Sequence, residues 1–327
     1  MFTLKRCLFI VSVFFASIDA GWADDALALQ NLQELYGVVN QFCDGISDQI
    51  SNVSGVARTN TVVTAAGTVA AGGALAVGIA KAEADKKIEE LQKQICDAGG
   101  CDLETLDAMS NQEFMDNVLY PLTLIIAENQ DLARLQSEQQ AEIKKSKRLG
   151  NWRTGLLFGS VGANTASAII AGLNKNQSEL IQQITACNAA VDKLRDARNA
   201  VIQSGVNPLE NTILVKYGNV VDNCGNLNAG DVEKVEKRMT VVMGTGIGGA
   251  VVSAVGAGTS IAANSDKIRN DDSESGKKKE KNLNTVSNVA AGVATATGTV
   301  GTGFNISLIS LTKRLLRKSE LCEATLQ

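Results

Sequence analysis

The chain has 327 residues, with 31 Lys and Arg against 35 Asp and Glu, two Pro, no His and 4% aromatic side chains. Histidine is the one side chain whose ordinary pKa lies near neutrality and the usual general base and zinc ligand, so Ser-His-Asp and Cys-His hydrolases and His-ligated zinc enzymes are excluded. A mildly acidic chain this poor in aromatics lacks the basic footprint and stacking platforms of a nucleic-acid binder, so no nucleic acid is expected as a partner.

Taken in order, Met1 to Arg6 is a short positive start, Cys7 to Ile18 an apolar run, and Asp19 to Ala23 a polar stretch with small residues. This is the pattern of an export signal over 1–23, cut after Ala23 and too short in its apolar run for a spanning helix. The remainder divides into an N-terminal helical part (24–101), a long helical hairpin (102–204) and a C-terminal helical hairpin (205–327).

Four stretches without a charge dominate the pattern: 59–80, 154–174, 239–265 and 282–312. Each opens with Thr near aliphatic residues and is followed by a basic residue, Lys81, Lys175, Lys267 or Lys313, so they read as four copies of one device. Glycine-rich runs usually mark loops, but here the residues separate by size at helical spacing. Gly246, Gly249, Ala250, Ser253, Ala254 and Ala257 fall on one side of the third stretch, and Ile247, Val251, Val252 and Val255 on the other. The second carries Gly155, Gly159, Ala163, Ser167 and Ala171 at i+4, the first Ala66, Ala70, Ala74 and Gly78, and the fourth Ala290, Ala294, Gly298 and Thr302. Such small-xxx-small ladders let helix backbones approach closely. Because Gly in a helix costs about 1 kcal/mol relative to Ala, so many of them imply a packing return. The expected fold is all-α, with long helical hairpins or a bundle around these four helices.

The connecting segments read as amphipathic helices. Ile88, Leu91 and Ile95 share a face, Ser110 and Glu113 resemble a capping box, and Leu122 to Arg148 is a polar helix with a thin apolar seam at Ile125, Leu132 and Leu135. The segment 266–281 is so charged that it is a solvated tip.

Six cysteines follow the leader: Cys43, Cys96, Cys101, Cys187, Cys224 and Cys322. An even count in an exported chain points to disulfides, and without a CxxC or a His no metal site is expected. If the chain reverses near Ser273, Cys224 and Cys322 are equally far from the tip, and antiparallel helices bring them together. Cys96 with Cys101 would then leave Cys43 for Cys187, and Cys43 with Cys96 is the alternative.

Every uncharged stretch reaches the about 20 residues that cross a bilayer, but Asn164, Asn288, Asn305 and scattered Thr and Ser make them only marginally apolar. Such a helix can pass through the export machinery and insert later. Basic flanks such as Lys144, Lys145, Lys147, Arg148 and Arg153, with Trp152 at the interface, suit anionic headgroups. Leu308, Leu311 and Leu315 with Lys313, Arg314, Arg317 and Lys318 read as a basic amphipathic surface helix.

Two functions follow. The first is an exported, non-enzymatic protein that associates with or inserts into a membrane, with anionic lipid and self-assembly into a pore as options. The second is a soluble periplasmic or secreted bundle serving as scaffold or adaptor for a protein partner. No catalytic residue or cofactor is expected. Gly244, Gly246 and Gly249 satisfy GxGxxG but lack βαβ surroundings, and Asp271, Asp272 and Glu274 lack EF-hand spacing.

Overall fold

The computed structural model describes residues 25–99, 130–204, 206–208, 211–265, 268 and 274–327. The export signal, Cys101, the Ser110 capping box, Ile125 and, within the charged tip, residues 266, 267 and 269–273 lie outside the described residues. Among the described residues seven helices follow in order: α1 (Asp25–Cys43), α2 (Ile46–Gly99), α3 (Gln130–Leu173), α4 (Ser178–Gln203), α5 (Thr212–Cys224), α6 (Ala229–Asn264) and α7 (Glu274–Leu326). No strand occurs among the described residues, so the fold is all-α, and the glycine-rich stretches are helical except for their last residues Asn174 and Ser265.

The helix ends follow local chemistry. Gly45, at φ 74°, turns the chain between α1 and α2 in the left-handed region that a side chain disfavours. Asn211 caps α5 by accepting from the backbone N–H of Ile213 and Leu214 at 3.0 and 3.3 Å. The Gly225 N–H closes the other end of α5 on the Val221 carbonyl.

The helices form two compact units. The first comprises the described residues up to Ser47, Gln182–Ala229 and Arg317–Gln327. Its core is apolar, with Leu32, Val39, Ile184, Val191, Leu194, Leu214 and Val220 all buried. Two disulfides staple it. Cys43 bonds Cys187 and Cys224 bonds Cys322, with Cα atoms 4.9 and 4.5 Å apart. The pairing derived from the symmetric hairpin is therefore the one observed, and Cys43 joins Cys187 instead of Cys96. Cys96 is buried outside this unit. The sulfurs of Cys43, Cys224 and Cys322 lie within 4.8 Å of one another, but all three are tied in disulfides. Tyr36 stacks on Tyr217 at 4.9 Å between centroids, Lys216 Nζ sits over the Tyr36 ring, and the Tyr36 hydroxyl donates to the Leu326 carbonyl. Desolvation, helped by the neighbouring Tyr36 and opposed by Lys216, raises the Tyr217 pKa.

The second unit comprises Asp48–Ile181 and Gly230–Leu316. Contacts between its four long helices run in opposite chain directions. Thr64 meets Ser167 while Gly67 faces Asn164, so α2 and α3 are antiparallel. Thr154 meets Ser260 while Ser160 meets Ser253, so α3 and α6 are antiparallel too. Gly256 faces Ala290 while Gly301 faces Thr245, and Gly298 faces Thr68 while Asn60 meets Asn305, so α7 runs against α6 and α2. The unit is an antiparallel four-helix bundle.

Its buried positions alternate three and four residues apart. On α2 they are Ile50, Val53, Ala57, Asn60, Thr64, Gly67, Ala71, Ala74 and Gly78; on α6, Val235, Met239, Val242, Gly246, Gly249, Ser253, Gly256, Ser260 and Ala263. The α3 seam runs through Gly150, Arg153, Leu157, Ser160, Asn164, Ser167 and Ala171, and the α7 seam through Ser287, Ala291, Ala294, Gly298, Gly301, Asn305, Leu308, Thr312 and Leu315. This is coiled-coil spacing, whose mean of about 3.5 keeps one stripe against the partners over many turns.

Candidate membrane-spanning region

The uncharged stretches come into register inside the second unit, and their radial polarity is inverted. Hydroxyl and amide side chains occupy the axis. Thr64 pairs with Ser167 at 2.8 Å, Ser160 with Ser253 at 2.9 Å and Thr154 with Ser260 at 2.8 Å. Asn60 donates to Asn305, which donates to Thr64, and Asn164 donates to Ser160. Ser287 donates to the Gly256 carbonyl. Between the Asn60–Asn305 contact and Gly78 the large buried aliphatics are few. Leu157, in a cluster with Ala74, Ala257 and Ala291, is one; Val242 is another.

The aliphatic side chains instead face outward on every helix. Val62, Val69 and Ile79 are exposed on α2, Phe158, Ile169 and Leu173 on α3, and Ile247, Val251, Val255 and Ile261 on α6. On α7 they are Val286, Val289, Val293, Val300, Phe304 and Ile306. From Val286 to Ile306 this girdle measures about 30 Å at 1.5 Å per helical residue. The hydrocarbon layer of a bilayer has that thickness.

This distribution is unlike the Leu, Val and Ile core of the first unit. A core of Gly, Ala, Ser and Asn removes little apolar surface from water, and burial stabilises by roughly 25 cal/mol per Å² of such surface. In lipid no hydrophobic force acts between helices, and close backbone approach plus interhelical hydrogen bonds of about 0.6 kcal/mol each hold a bundle together. Two glycines show the approach. A Cβ on Gly246 would lie 3.0 Å from the Asn164 carbonyl oxygen, and one on Gly256 3.0 Å from Ala290 Cβ.

Three segments, within Gln30–Ala98, Asp131–Gln203 and Thr212–Asn264, are long and apolar enough to cross a membrane by composition, with mean hydropathies of 1.8, 1.5 and 1.6. The stretch 282–312 on α7 is not among them, because Thr, Asn and Gly dilute its aliphatics. Sequence reading treated all four as equivalent; composition separates the fourth.

Several residues sit elsewhere than the sequence suggested. Gly246, Gly249, Ser253 and Ala257 are buried, but Ala250 and Ala163 are half-buried and Ala254 is exposed. Gly155 and Gly159 lie on the exposed surface, with no atom within 4 Å of a notional Cβ on Gly155. The physical reason is that an i+4 row turns about 40° around the helix at each step, so it leaves the contact stripe within a few turns. Trp152 is exposed at the girdle's edge. Arg153, expected at the membrane surface, is instead 1% exposed, and its guanidinium donates to the Asn284 carbonyl oxygens of side chain and backbone. Its Nε and Asn288 Oδ1, both beside Gly78, have no hydrogen-bond partner among the described residues.

Lys313, Arg314 and Arg317 are exposed, and Lys318 donates to the Asn226 carbonyl. The apolar face of that segment is already occupied, since Leu308, Leu311 and Leu315 are buried in the protein. It is therefore not a free surface-binding amphipathic helix. The GxGxxG glycines lie in mid-helix on α6 with no strand before them, so they form no phosphate-binding turn. A hollow lined by Val206, Asn207, Asn211 and Thr212 contains no titratable side chain among these residues.

The hydroxyl and amide seam is what sequence reasoning missed. Asn164 and Asn305 counted there only as reducing hydropathy, whereas both are buried between helices. Their signal was present: Asn60, Thr64, Asn164, Ser167 and Ser253 keep the same three-and-four spacing as the glycines.

Beyond the girdle, charged groups replace the hydroxyls. Lys81, 3% exposed, pairs with Asp85 at 2.7 Å and Glu280 at 3.4 Å, and Ser146 donates to Asp85. Glu142 receives Lys145 and Lys87, and these two hydrogen bonds hold its carboxyl below the ordinary glutamate range. No protein-family model, no curated protein and no solved structure matches the chain.

Proposed function

We propose that this is an exported, non-enzymatic protein that inserts its four-helix unit into a membrane and perturbs or permeabilises it. The observation that carries this reading is the inverted polarity: hydrogen-bonded Ser, Thr and Asn on the axis and a bilayer-high aliphatic girdle around it. The two disulfides suit an oxidising compartment, periplasmic or extracellular. Permeabilisation requires several copies to assemble, because the axis of one bundle is filled by packed and mutually hydrogen-bonded side chains.

Flotation of the mature chain with liposomes, combined with dye release and quenching of Trp152 by brominated lipid, tests the reading. Flotation with Trp152 quenched and dye lost is expected. A protein that stays at the bottom of the gradient and leaves the vesicles sealed overturns it. The second reading is a soluble scaffold, favoured by the limited hydropathy of the α7 stretch. It predicts a monodisperse detergent-free species whose exposed valines are covered by a protein partner.

A further inference from the structure

The girdle has a border whose chemistry goes beyond spanning, and the inference drawn from it rests on the membrane reading above. Two basic segments far apart in sequence, 144–148 on α3 and 277–281 on α7, flank uncharged stretches. Their common level is fixed by buried contacts. The Lys81–Asp85 pair on α2 takes Glu280 from α7 and the Ser146 hydroxyl from α3, and one turn further Lys87 reaches Glu142 of α3. Antiparallel packing of α2 against α3 and α7 therefore brings both basic segments to the same end of the girdle, beyond Ile79, Trp152 and Val286.

Lys144, Lys147, Arg148, Lys278, Lys279 and Lys281 are all exposed there, and none forms an ion pair among the described residues. Three carboxylates at this level are engaged, Asp85 and Glu280 by Lys81, and Glu142 by Lys87 and Lys145, whereas Glu83 on α2 is exposed and forms no ion pair among the described residues. The six side chains thus hold their charge outward without an ion-pair partner among the described residues. Long lysine and arginine stems cover apolar surface while holding the charge outward, the geometry of a side chain meeting a headgroup at the edge of the hydrocarbon.

We infer that these six side chains form a collar that binds the phosphate headgroups of anionic phospholipid, so that this end of the bundle selects an anionic leaflet. The girdle supplies insertion and the collar supplies the choice of lipid. Each basic residue at an anionic surface contributes about 1 kcal/mol, roughly a fivefold change in partition per charge. Interaction of this kind weakens with salt, because screening acts over about 10 Å at 0.1 M.

The test compares partition of the full mature chain into phosphatidylcholine vesicles and into vesicles containing phosphatidylglycerol, at low and high salt. The wild type, K144Q/K147Q/R148Q, K278Q/K279Q/K281Q and a control at the opposite end, R58Q/K175Q/K313Q, are measured, with helicity by circular dichroism as the folding check. The expected result is a salt-sensitive preference for phosphatidylglycerol that falls at least tenfold in each collar variant, while the control variant and all partition into phosphatidylcholine change less than threefold. Equal partition of the wild type into both vesicles overturns the collar and leaves insertion standing. No partition into either vesicle overturns both readings. A loss of equal size in the control variant, or tighter binding of the wild type to a single-stranded oligonucleotide than to anionic vesicles, overturns the collar alone.

Discussion

The stapled unit and the four-helix unit solve the same packing problem with opposite materials. In the first, Leu, Val and Ile are buried, two disulfides cross-link the helices, and a tyrosine pair closes on the Leu326 carbonyl. In the second, the buried stripe between Asn60 and Gly78 is mostly Gly, Ala, Ser, Thr and Asn, and the aliphatics are outside. Helical periodicity says which residues share a stripe, but not whether the buried stripe is the apolar one. The two units therefore respond to different insults.

The largest expected effect separates them by covalent chemistry. The Cys224–Cys322 bond spans 98 residues of sequence, and removing a cross-link over a loop of about that length costs roughly 4–5 kcal/mol. A Cys224→Ser/Cys322→Ser variant should lose the cooperative near-ultraviolet dichroism transition of the Tyr36–Tyr217 pair. Retention of wild-type tyrosine melting would show that the first unit does not depend on its staple.

Overpacking should act on the other unit. Gly256→Leu places atoms where a Cβ already meets Ala290 at 3.0 Å and Leu157 at 3.3 Å, with a loss of about 1–3 kcal/mol. Gly155→Leu, where nothing lies within 4 Å, should keep or raise stability, because it removes the cost of about 1 kcal/mol for a helical glycine, and serves as the matched control. Equal effects at the two sites would contradict the observed stripe.

A smaller effect concerns the seam. Ser160→Ala with Ser253→Ala in a double-mutant cycle should show a coupling of about 0.6 kcal/mol in micelles, the ordinary worth of an interhelical hydrogen bond in an apolar medium. Zero coupling would reduce the seam to shape alone.

Acidity and alkalinity sharpen the comparison least in size but most in direction. Glu142 has a depressed pKa in the folded bundle, so its stabilisation is present above the ordinary value of 4.5 and is lost as pH falls through the folded pKa. Tyr217 has a raised pKa, so the folded stapled unit holds its proton longer than the unfolded chain does and loses stability as pH rises above 10.0. Acid titration of Glu142→Gln and alkaline titration of Tyr217→Phe, each followed by thermal melting, should flatten the corresponding limb. Unchanged limbs would assign the pH response to other groups.

Much was legible in sequence because it depends on local spacing. Size segregation around Gly246 and Val251 identified helices despite the glycine content, and equal distances from the charged tip paired Cys224 with Cys322. Rows such as Gly155 to Ala171 were less reliable, because a straight-looking i+4 row winds around the helix, whereas the real stripe alternates three and four. Arg153 illustrates a further limit. It ends a basic cluster and reads as a flank, yet it is one residue from Trp152, and a step of about 100° carries the two to different environments.

By itself the amino-acid sequence determined that the chain is helical, that charges are absent from four long stretches, and which cysteines a hairpin could join, since these follow from periodicity and chain distance. Only the tertiary structure decided that hydroxyls and amides meet on the axis while valines face outward, and that segments 144–148 and 277–281 share one end. Those outcomes depend on which helices become neighbours, and a residue's own spacing carries no information about the partner across the interface.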